Sequence, residues 1–411
     1  MKIAAVICEF DPFHNGHKYL IEETRRRTGC DGVVCIMSGS FTQRGRPAIC
    51  DKWARASMAL RCGADVVAEL PFVYAVSSAQ FFALGGVSIA DNIGADVLSF
   101  GIESREAEVR RAAEKRTSRE YHEKVLENIK RGSSYAVSAA SAIGTERVKP
   151  NDILACEYIA ATESTGFRPE VLMIPRKGAG HGSEELSDVF ASASAIRKML
   201  AEGETEHLRE YVPAETVEIL QNWAETEKFV YSEDFSSALC VKLRTMGPDR
   251  LEELPFGGGG LGRLVFNNVQ KYSSWEKIVS ASTSLRYPAS RASRFMTWAL
   301  VYSDKTAFSP EELERIYIDG ETPYIRVLGV TRGRGEEVLS ELTRRCAGRA
   351  DLVTAPYKYL ENACSSGEAG KLGNKMLMTD IHAQAVYDSV LNADHLSAAD
   401  RDLTSKFLVV P

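Results

Sequence analysis

The sequence predicts an α/β fold, in which an N-terminal doubly wound parallel sheet is followed by a mostly helical C-terminal region containing a small α/β piece. Short apolar runs rich in β-branched residues alternate with helical patterns in the first 175 residues. These runs lack polar alternation, as expected of parallel strands covered on both faces. Strands joined by crossover helices form such a sheet, and its ligands bind at the carboxyl ends of the strands.

Five buried strands are predicted in the first half, over residues 3–7, 33–37, 65–70, 95–100 and 171–174. Helices are predicted between them, over residues 17–27, 52–62 and 77–93. The highly charged stretch 104–131 predicts a helical insertion, taken as about 104–150, that packs on the sheet. Two more strands are expected at 323–331 and 351–354. These patterns predict two domains, 1–205 and 206–411.

Composition narrows the class of protein. The chain has 411 residues, 44% hydrophobic and 26% charged, the balance of a globular protein with more than one domain. No run of about eighteen apolar residues occurs, and the short apolar start predicts a buried strand rather than a signal peptide. Nine cysteines are scattered singly, which favours reduced thiols, no zinc site and a cytoplasmic location. The net charge of −6 argues against nucleic-acid binding over the whole surface but permits a local basic face.

Two histidines follow the first predicted strand and lead into a helix. His14 and His17 enclose Gly16, and Pro12 stiffens the turn before them. Free amides and the positive dipole end at a helix start favour anions, and a glycine lets a polyphosphate approach the backbone. Imidazoles can donate hydrogen bonds that strengthen as charge shifts in a transition state. A bare His-x-x-His pair is more often structural, but this strand–glycine–helix setting predicts a phosphate-binding turn.

A second cluster is Ser192-Ala193-Ser194-Ala195-Ile196-Arg197, soon after the last strand of the predicted sheet. Serines cap a helix start and leave the next amides open to phosphate, and Arg197 adds a permanent positive charge. Alone this is an ordinary helix cap. Beside the histidine turn, it is the expected position of a second phosphate clamp.

Together the two clusters resemble the HIGH-motif nucleotidyltransferase superfamily, whose later signature has Ser-Thr where this chain has Ser194-Ala195. The surrounding motifs resemble one family, the bacterial tRNA(Met) cytidine acetate ligases. They are residues 9–17, 37–45, 47–48, 51–55, 69–72, 100–103, 150–154 and 192–197, followed by weaker similarity at 286–294 and 324–329. Phe10, Asp11 and Asp152 differ from the residues expected of the family.

The resemblance implies a Rossmann-like nucleotidyltransferase fold and a reaction in two steps. ATP activates acetate as acetyl-adenylate, and the acetyl group then passes to the N4 amine of the wobble cytidine in elongator tRNA(Met). By the resemblance, His14, His17 and Arg197 are catalytic. The implied ATP-binding residues are Ile7, Cys8, Glu9, Phe10, Asp11, Pro12, Phe13, His14, Asn15, Gly16, His17, Lys18, Tyr19, Leu20, Gly101, Asn151, Arg176, Ser192, Ser194 and Arg197.

Further expectations concern the other ligands. The loop and helix after strand two supply the acetate candidates Ser38, Gly39, Gln43, Arg44 and Lys52. Mg²⁺ is expected as a counter-ion of the phosphates, without a protein carboxylate cage. In the predicted domains, 1–205 is the ATP-binding catalytic part and 206–411 the tRNA-binding part.

The RNA is expected on a locally basic stretch between Arg263 and Lys305. Its candidate phosphate contacts are Lys271, Lys277, Arg286, Arg291 and Arg294. Tyr272, Trp275, Tyr287 and Phe295 lie among them and could stack on unpaired bases, although a basic helix face with core aromatics gives the same pattern.

Two other functions fit part of the pattern. A small-molecule nucleotidyltransferase that joins AMP to a phosphate ester would use the same turn but would not need the long second half. A non-catalytic RNA-binding protein could keep a nucleotide site, although the complete histidine pair argues against it.

Overall fold

The computed structural model describes residues 1–116, 118–131, 138–139, 141–142, 149–177, 191–204, 207–363, 367–391, 401–405 and 407–411. One mixed, mostly parallel sheet of eight strands organises the fold, in the order β5-β4-β1-β2-β3-β6-β7, with β8 also paired to β6. The strands are β1 Ile3–Cys8, β2 Gly32–Ser38, β3 Val66–Leu70, β4 Val97–Ile102, β5 Glu170–Pro175, β6 Tyr324–Thr331, β7 Asp351–Val353 and β8 Leu408–Val410.

Helices cover the sheet and form most of the second half. In the first half they are α1 Asn15–Thr28, α2 Lys52–Arg61, α3 Phe72–Ala75, α4 Ala79–Asn92, α5 Glu106–Arg116, α6 Arg119–Lys130, α7 Pro150–Thr165 and α8 Ala193–Glu202. In the second half they are α9 Leu208–Tyr211, α10 Ala214–Thr226, α11 Ser236–Met246, α12 Pro248–Glu253, α13 Leu261–Val269, α14 Trp275–Ser282, α15 Ala289–Val301, α16 Pro310–Tyr317, α17 Arg334–Cys346, α18 Pro356–Ala363, α19 Glu368–Asp388 and α20 Arg401–Thr404.

The predicted α/β class and all seven predicted strands are confirmed. Strands β1 to β4 are almost wholly buried, which is why their sequences read as unbroken apolar runs. The charged stretch after β4 forms two helices, α5 and α6, and part of the predicted insertion lies outside the described residues. The three-residue strand β8 was not predicted, because so short a run carries no periodicity.

The strand order reverses beside β1. Its neighbours are β2 on one side and β4 on the other, and all three run parallel. Because the chain crosses from one side of β1 to the other, a crevice forms outside the carboxyl ends of β1 and β4. The residues that follow β1, β4 and β5 meet there.

The second half of the chain completes the sheet instead of forming a sheet of its own. Strand β6 pairs antiparallel with β3, and β7 and β8 both pair parallel with β6. The small α/β piece expected in the C-terminal region therefore extends the first sheet, and no sheet boundary lies at residue 205. Pairing with β6 also covers the edge that β3 would otherwise expose. None of the described helices is long and apolar enough to cross a membrane.

Candidate active site

A pocket opens in the crevice between β1 and β4. It is lined by residues from the turn before α1 and its first turns, from β4, and from the segment around β5: His14, Gly16, His17, Tyr19, Leu20, Gly101, Ile174, Pro175, Arg176, Lys177 and Ala191. The structure thus brings together the histidine turn, Gly101 and Arg176, which are far apart in sequence. The pocket lies where an open α/β sheet binds its ligand.

The two histidines hold each other in a defined arrangement at the start of α1. His14 is the N-cap, and its Nδ1 accepts a hydrogen bond from the Gly16 amide at 3.1 Å. His17 Nδ1 accepts from the His14 amide at 3.2 Å, and the rings stack with centroids 3.6 Å apart. Since Nδ1 accepts in both rings, each neutral ring carries its proton on Nε2, which is then a donor. A side chain at Gly16 would meet the His14 ring at 2.9 Å.

The turn between β1 and α1 is closely packed. Phe10 takes a left-handed backbone conformation with φ 49°, and the Asp11–Pro12 peptide is cis. The buried rings of Phe10 and Phe13 pack against His17, with centroids 4.8 and 5.5 Å from its ring. Aromatic contact on one side and His14 on the other leave the His17 ring little freedom to turn.

Arg197 is joined to the same turn from α8. Its Nη1 donates to the Asp11 carbonyl at 2.7 Å and pairs with the Asp11 carboxylate at 3.0 Å, while Nη2 donates to Ser194 Oγ at 3.2 Å. Ser192 caps α8 by accepting from the Ala195 amide. The two predicted phosphate clusters are therefore neighbours, and Asp11 sets the position of the arginine between them.

The loop after β4 is fixed by Asp152, the second residue after the start of α7. The Asp152 carboxylate accepts from the Glu103 amide at 2.8 Å and from Ser104 Oγ at 2.6 Å. Next to it, the buried side-chain amide nitrogen of Asn151 has no hydrogen-bond partner among the described residues. A buried donor of this kind fits an acceptor on a bound nucleotide.

Gly101 and Arg176 face each other across β4 and β5. A Cβ at Gly101 would lie 3.1 Å from Arg176 Cγ, so a larger residue would crowd the arginine and narrow the pocket. Burial lowers the pKa of the Arg176 guanidinium, and nearby Glu103 opposes this. Because the ordinary pKa of arginine lies far above neutral pH, the guanidinium stays charged through such a shift and can bind a phosphate.

The other residues of the predicted ATP segment have different surroundings. Ile7, Cys8, Phe10 and Phe13 belong to the hydrophobic core, where they support the turn. Asn15 donates through its side chain to the Glu210 carbonyl at 3.0 Å. Tyr19 lies under the Lys177 ammonium, 4.3 Å from the ring centroid. Lys18 is partly buried on α1 and does not line the pocket.

None of the five acetate candidates lines this pocket, and three of them, Ser38, Gly39 and Lys52, are buried. Lys52 is fully buried, and its ammonium pairs with Glu69 and Asp402, each at 2.9 Å. A Cβ at Gly39 would meet Glu69 Oε1 at 2.3 Å, and Ser38 is buried with its hydroxyl on the Cys8 carbonyl. Two buried carboxylates thus already compensate the charge of Lys52, and no acetate role is proposed for it below.

Gln43 and Arg44 remain near the turn. The Gln43 amide donates to Glu9 Oε1 at 2.6 Å, which links the loop after β2 to the end of β1. Burial raises the pKa of Glu9. Burial also lowers the pKa of Arg44, whose charge interacts with Glu9 and Arg197. These two loop residues therefore adjoin the Asp11–Arg197 pair.

The predicted RNA contacts divide into two sets. Lys271, Lys277 and Arg286 are exposed. Arg291 donates to the Gly258 carbonyl at 3.1 Å, and Arg294 donates to the Gln43 carbonyl at 3.2 Å. Both of these are partly buried, so they do not form one open basic face with the others.

Most of the aromatic residues in this stretch are core residues. Trp275 and Phe295 are fully buried and Tyr287 is nearly so, and only Tyr272 is exposed. The expectation that all four could stack on bases is wrong, because Trp275 of α14, Phe295 of α15 and Tyr287 between these helices are buried in the protein interior.

Sequence reasoning gave no role to Arg55, which links the segments that follow β1 and β2. It is fully buried and donates to the carbonyls of Cys50, Glu9, Ser38 and Gly39. One guanidinium thus ties the end of β1 to the end of β2. Its position four residues after Asp51, the N-cap of α2, was the available signal, but its four acceptors are backbone groups that a sequence does not mark.

Comparison with known proteins places this geometry in a family. Residues 1–402 match the family model described as HIGH Nucleotidyl Transferase. A tRNA(Met) cytidine acetate ligase of Thermoanaerobacter sp. is 34% identical over 415 residues, covering 97% of this chain and 98% of the relative. That of Bacillus subtilis is 31% identical, covering 83% and 84%. The chain belongs to the tRNA(Met) cytidine acetate ligase family.

Solved structures agree with membership of this ligase family. The crystal structure of Thermotoga maritima TmcAL in its apo form I has a TM-score of 0.90 at 29% identity and covers 100% of both chains. The form II crystal, bound with alpha-thio ATP, has a TM-score of 0.88 at 28% identity and the same coverage. The similarity extends over both halves of the chain, including the strands that the second half adds to the sheet.

Proposed function

We propose that this protein is an ATP-dependent ligase that converts acetate to acetyl-adenylate and acetylates the N4 amine of the wobble cytidine of elongator tRNA(Met), forming N4-acetylcytidine. The carrying observation is the pocket at the carboxyl ends of β1 and β4, where the histidine turn, Gly101 and Arg176 converge. The curated relatives bear this activity in their name, and the alpha-thio ATP complex of the Thermotoga protein supports ATP as the nucleotide.

The first step is a displacement at the α-phosphorus. An acetate oxygen attacks, the bond from the α-phosphorus to the bridging oxygen of pyrophosphate breaks, and pyrophosphate leaves. Acetate is ionised at neutral pH, so this step needs positioning and charge stabilisation and no general base. In the proposal, Nε2 of His14 and His17, the amides at the start of α1, and Arg197 stabilise the charge on the phosphates.

The adenosine is proposed to lie along β4. Gly101 leaves room beside the sheet, and the unpartnered amide of Asn151 can donate to a base or ribose acceptor. Arg176 is proposed to bind a phosphate through its fork of N–H donors. In the second step the cytidine N4 amine attacks the acetyl carbonyl carbon, the bond from that carbon to the phosphate oxygen of AMP breaks, and AMP leaves while the nitrogen loses one proton.

Mg²⁺ is proposed to enter with the ATP phosphates. No group of three or more His, Cys, Asp or Glu residues in the described part of the chain could hold a metal ion, so the residues present do not form a resident magnesium site. Magnesium commonly reaches such sites through substrate phosphates. No step of the proposed mechanism depends on a protein-bound metal.

The tRNA is proposed to bind on residues of the second half, with residues 1–205 supplying most of the nucleotide site. Lys271, Lys277 and Arg286 are exposed cations on and around α14, and Tyr272 beside them is 39% exposed. Cations on phosphates and one aromatic on a base would suit a folded RNA. A tRNA substrate implies a cytoplasmic enzyme.

The activity can be tested on the modified nucleosides. Elongator tRNA(Met) incubated with the enzyme, ATP and labelled acetate should gain one labelled acetyl group, found as N4-acetylcytidine by mass analysis of the nucleosides. Omitting ATP should abolish it. Transfer of AMP to a phosphate ester without acetylation of tRNA would instead support the small-molecule nucleotidyltransferase.

The RNA surface has its own test. Combining Lys271→Glu, Lys277→Glu and Arg286→Glu should weaken tRNA binding at least tenfold and reduce its salt dependence, because fewer counterions are released. The control combines Arg344→Glu, Lys358→Glu and Lys371→Glu, three exposed cations on other helices. Equal loss in both triple variants would show that only total charge matters and would contradict this surface.

A further inference from the structure

Helix α15 forms buried hydrogen bonds with the loop after β2. The Gly45 carbonyl accepts hydrogen bonds from Ser293 Oγ at 2.6 Å and from Thr297 Oγ1 at 2.8 Å. Both hydroxyl residues are buried, at 4% and 0% exposure. Two buried donors on one carbonyl oxygen satisfy both of its lone pairs and fix its direction.

The backbone of Gly45 is shaped by this contact. Its φ is +67°, a conformation that glycine adopts without strain, and a Cβ there would lie 2.3 Å from the Arg294 backbone nitrogen. The carbonyl two residues earlier, that of Gln43, accepts from Arg294 Nη1 at 3.2 Å. Three residues of α15 therefore hold two backbone carbonyls of the loop, those of Gln43 and Gly45.

The loop itself is a closed turn. The Thr42 amide donates to the Arg46 carbonyl and the Gly45 amide to the Thr42 carbonyl, each at 2.8 Å. Phe41 and Pro47 form an isolated antiparallel bridge below it. These contacts tie the residues of the turn to one another.

The opposite side of this loop contacts the segment that leads from β1 into the histidine turn. The Gln43 amide donates to Glu9 Oε1 at 2.6 Å, and Glu9 is two residues before Asp11, the partner of Arg197. Between these contacts Arg44 is partly buried, and its guanidinium has no hydrogen bond or ion pair to another described residue. A partly desolvated guanidinium that lies beside Arg197 and near the Glu9 carboxylate, with no hydrogen bond to a described residue, fits a carboxylate or phosphate oxygen of a substrate.

We infer that Ser293, Arg294 and Thr297 are positioning residues, which hold the loop after β2 so that Arg44 meets the carboxylate of the acid being activated. The inference rests on the proposed function and deepens it. Arg44 is the group that touches substrate, and the α15 residues act through the loop. Arg294, expected from the sequence to contact RNA, thereby has a different role, in accord with its burial and with its pKa, which burial lowers to about 10.

The test compares a double variant with two matched controls. The double variant Ser293→Ala with Thr297→Val removes both hydroxyl donors to the Gly45 carbonyl. Valine keeps the volume of the threonine side chain. Thr297→Ser keeps the hydroxyl. Thr379→Val removes another buried threonine hydroxyl, one that donates within its own helix α19 to the Lys375 carbonyl at 2.8 Å.

Two readouts distinguish positioning from general stability. Amide hydrogen exchange of residues 40–48 should become at least tenfold faster in the double variant only, because the loop loses its anchor. In acetate-dependent exchange of pyrophosphate into ATP, the KM for acetate should rise about tenfold, while the KM for ATP and the affinity for tRNA change less than twofold.

Three results would overturn the inference: unchanged loop exchange in the double variant, the same rise in acetate KM in Thr379→Val, or weakened tRNA binding with an unchanged acetate KM. Failure of the wild-type enzyme to show any acetate-dependent exchange would contradict the proposed function itself, and the assignment of Arg44 with it. The two failures are thus distinguishable, because the first leaves wild-type activity intact.

Discussion

At the scale of single residues, the histidine pair is defined by what each ring accepts. His17 Nδ1 takes the His14 amide, and His14 Nδ1 takes the Gly16 amide. These bonds leave Nε2 of both rings as donors, so one turn supplies two oriented N–H groups without a charged residue. A neutral imidazole N–H needs no buried carboxylate beside it to balance a charge. The site therefore holds no extra carboxylate from this pair that would repel an acetate anion.

Replacing His17 by Ala should lower acetate-dependent pyrophosphate exchange by about 10²–10³-fold, because one preorganised donor to the phosphates is lost. Affinity for ATP should fall much less, since the donor acts most strongly in the transition state. The control is thermal unfolding, where a shift of only a few degrees is expected from the lost contacts to Phe10 and Phe13. Exchange within threefold of the wild type would contradict the phosphate role of His17.

At the scale of elements, β1 and β4 position the site through their parallel register. Ala4 to Val6 of β1 face Val97 to Ser99 of β4, so both strands end at the same edge of the sheet. The turn to α1 follows β1, and Gly101 is the next-to-last residue of β4. Sheet topology alone therefore places a glycine beside the histidine turn.

Gly101→Val should raise the Kd for ATP at least tenfold without loss of folding. A Cβ there already meets Arg176 Cγ at 3.1 Å, and the two further methyl groups would fill the adenosine side of the pocket. Valine is favoured in strands, so the free energy of unfolding should stay within about 1 kcal/mol of the wild type. Calorimetric titration with ATP measures the effect, and unchanged affinity would place the nucleotide elsewhere.

The elements show why much of this fold can be predicted from sequence. Strand β1, Gly16 and α1 are contiguous, so their pattern carries the site in one short segment. Arg55 and Lys52 show the limit. Lys52 pairs with Asp402, 350 residues away, and no local pattern distinguishes such a lysine from one that faces a substrate. The buried aromatic rings of α14 and α15 are a similar case, because periodicity does not reveal which helix face is covered by another part of the chain.

At the scale of the whole molecule, a buried ionic cluster joins the chain's last helix to the sheet. Asp402 of α20 pairs with Lys52 of α2 and with Arg326 of β6, and Glu69 of β3 pairs with the same two cations. The positive charges of Lys52 and Arg326 are thus compensated by the negative charges of Glu69 and Asp402 within the protein interior. Although burial alone would raise it, Lys52 and Arg326 hold the pKa of Asp402 below its usual value.

Asp402→Ala should therefore lower the free energy of unfolding by about 3–5 kcal/mol at neutral pH, because it leaves two buried cations with one carboxylate. The wild-type contribution is present above the usual pKa of aspartate, about 4, and is lost as pH falls through the lower folded value. Urea unfolding measures the change. Asp249→Ala is the control, since its pair with Arg263 is exposed and should cost less than about 1 kcal/mol. Equal costs in the two variants would contradict the role of the cluster.

The measurement that tests the central claim most directly is a crystal structure with a non-hydrolysable ATP analogue and acetate. The triphosphate should lie within hydrogen-bond distance of the amides at the start of α1 and of Nε2 of His14 and His17, with the adenosine beside Gly101. Phosphates bound away from that turn would contradict the account.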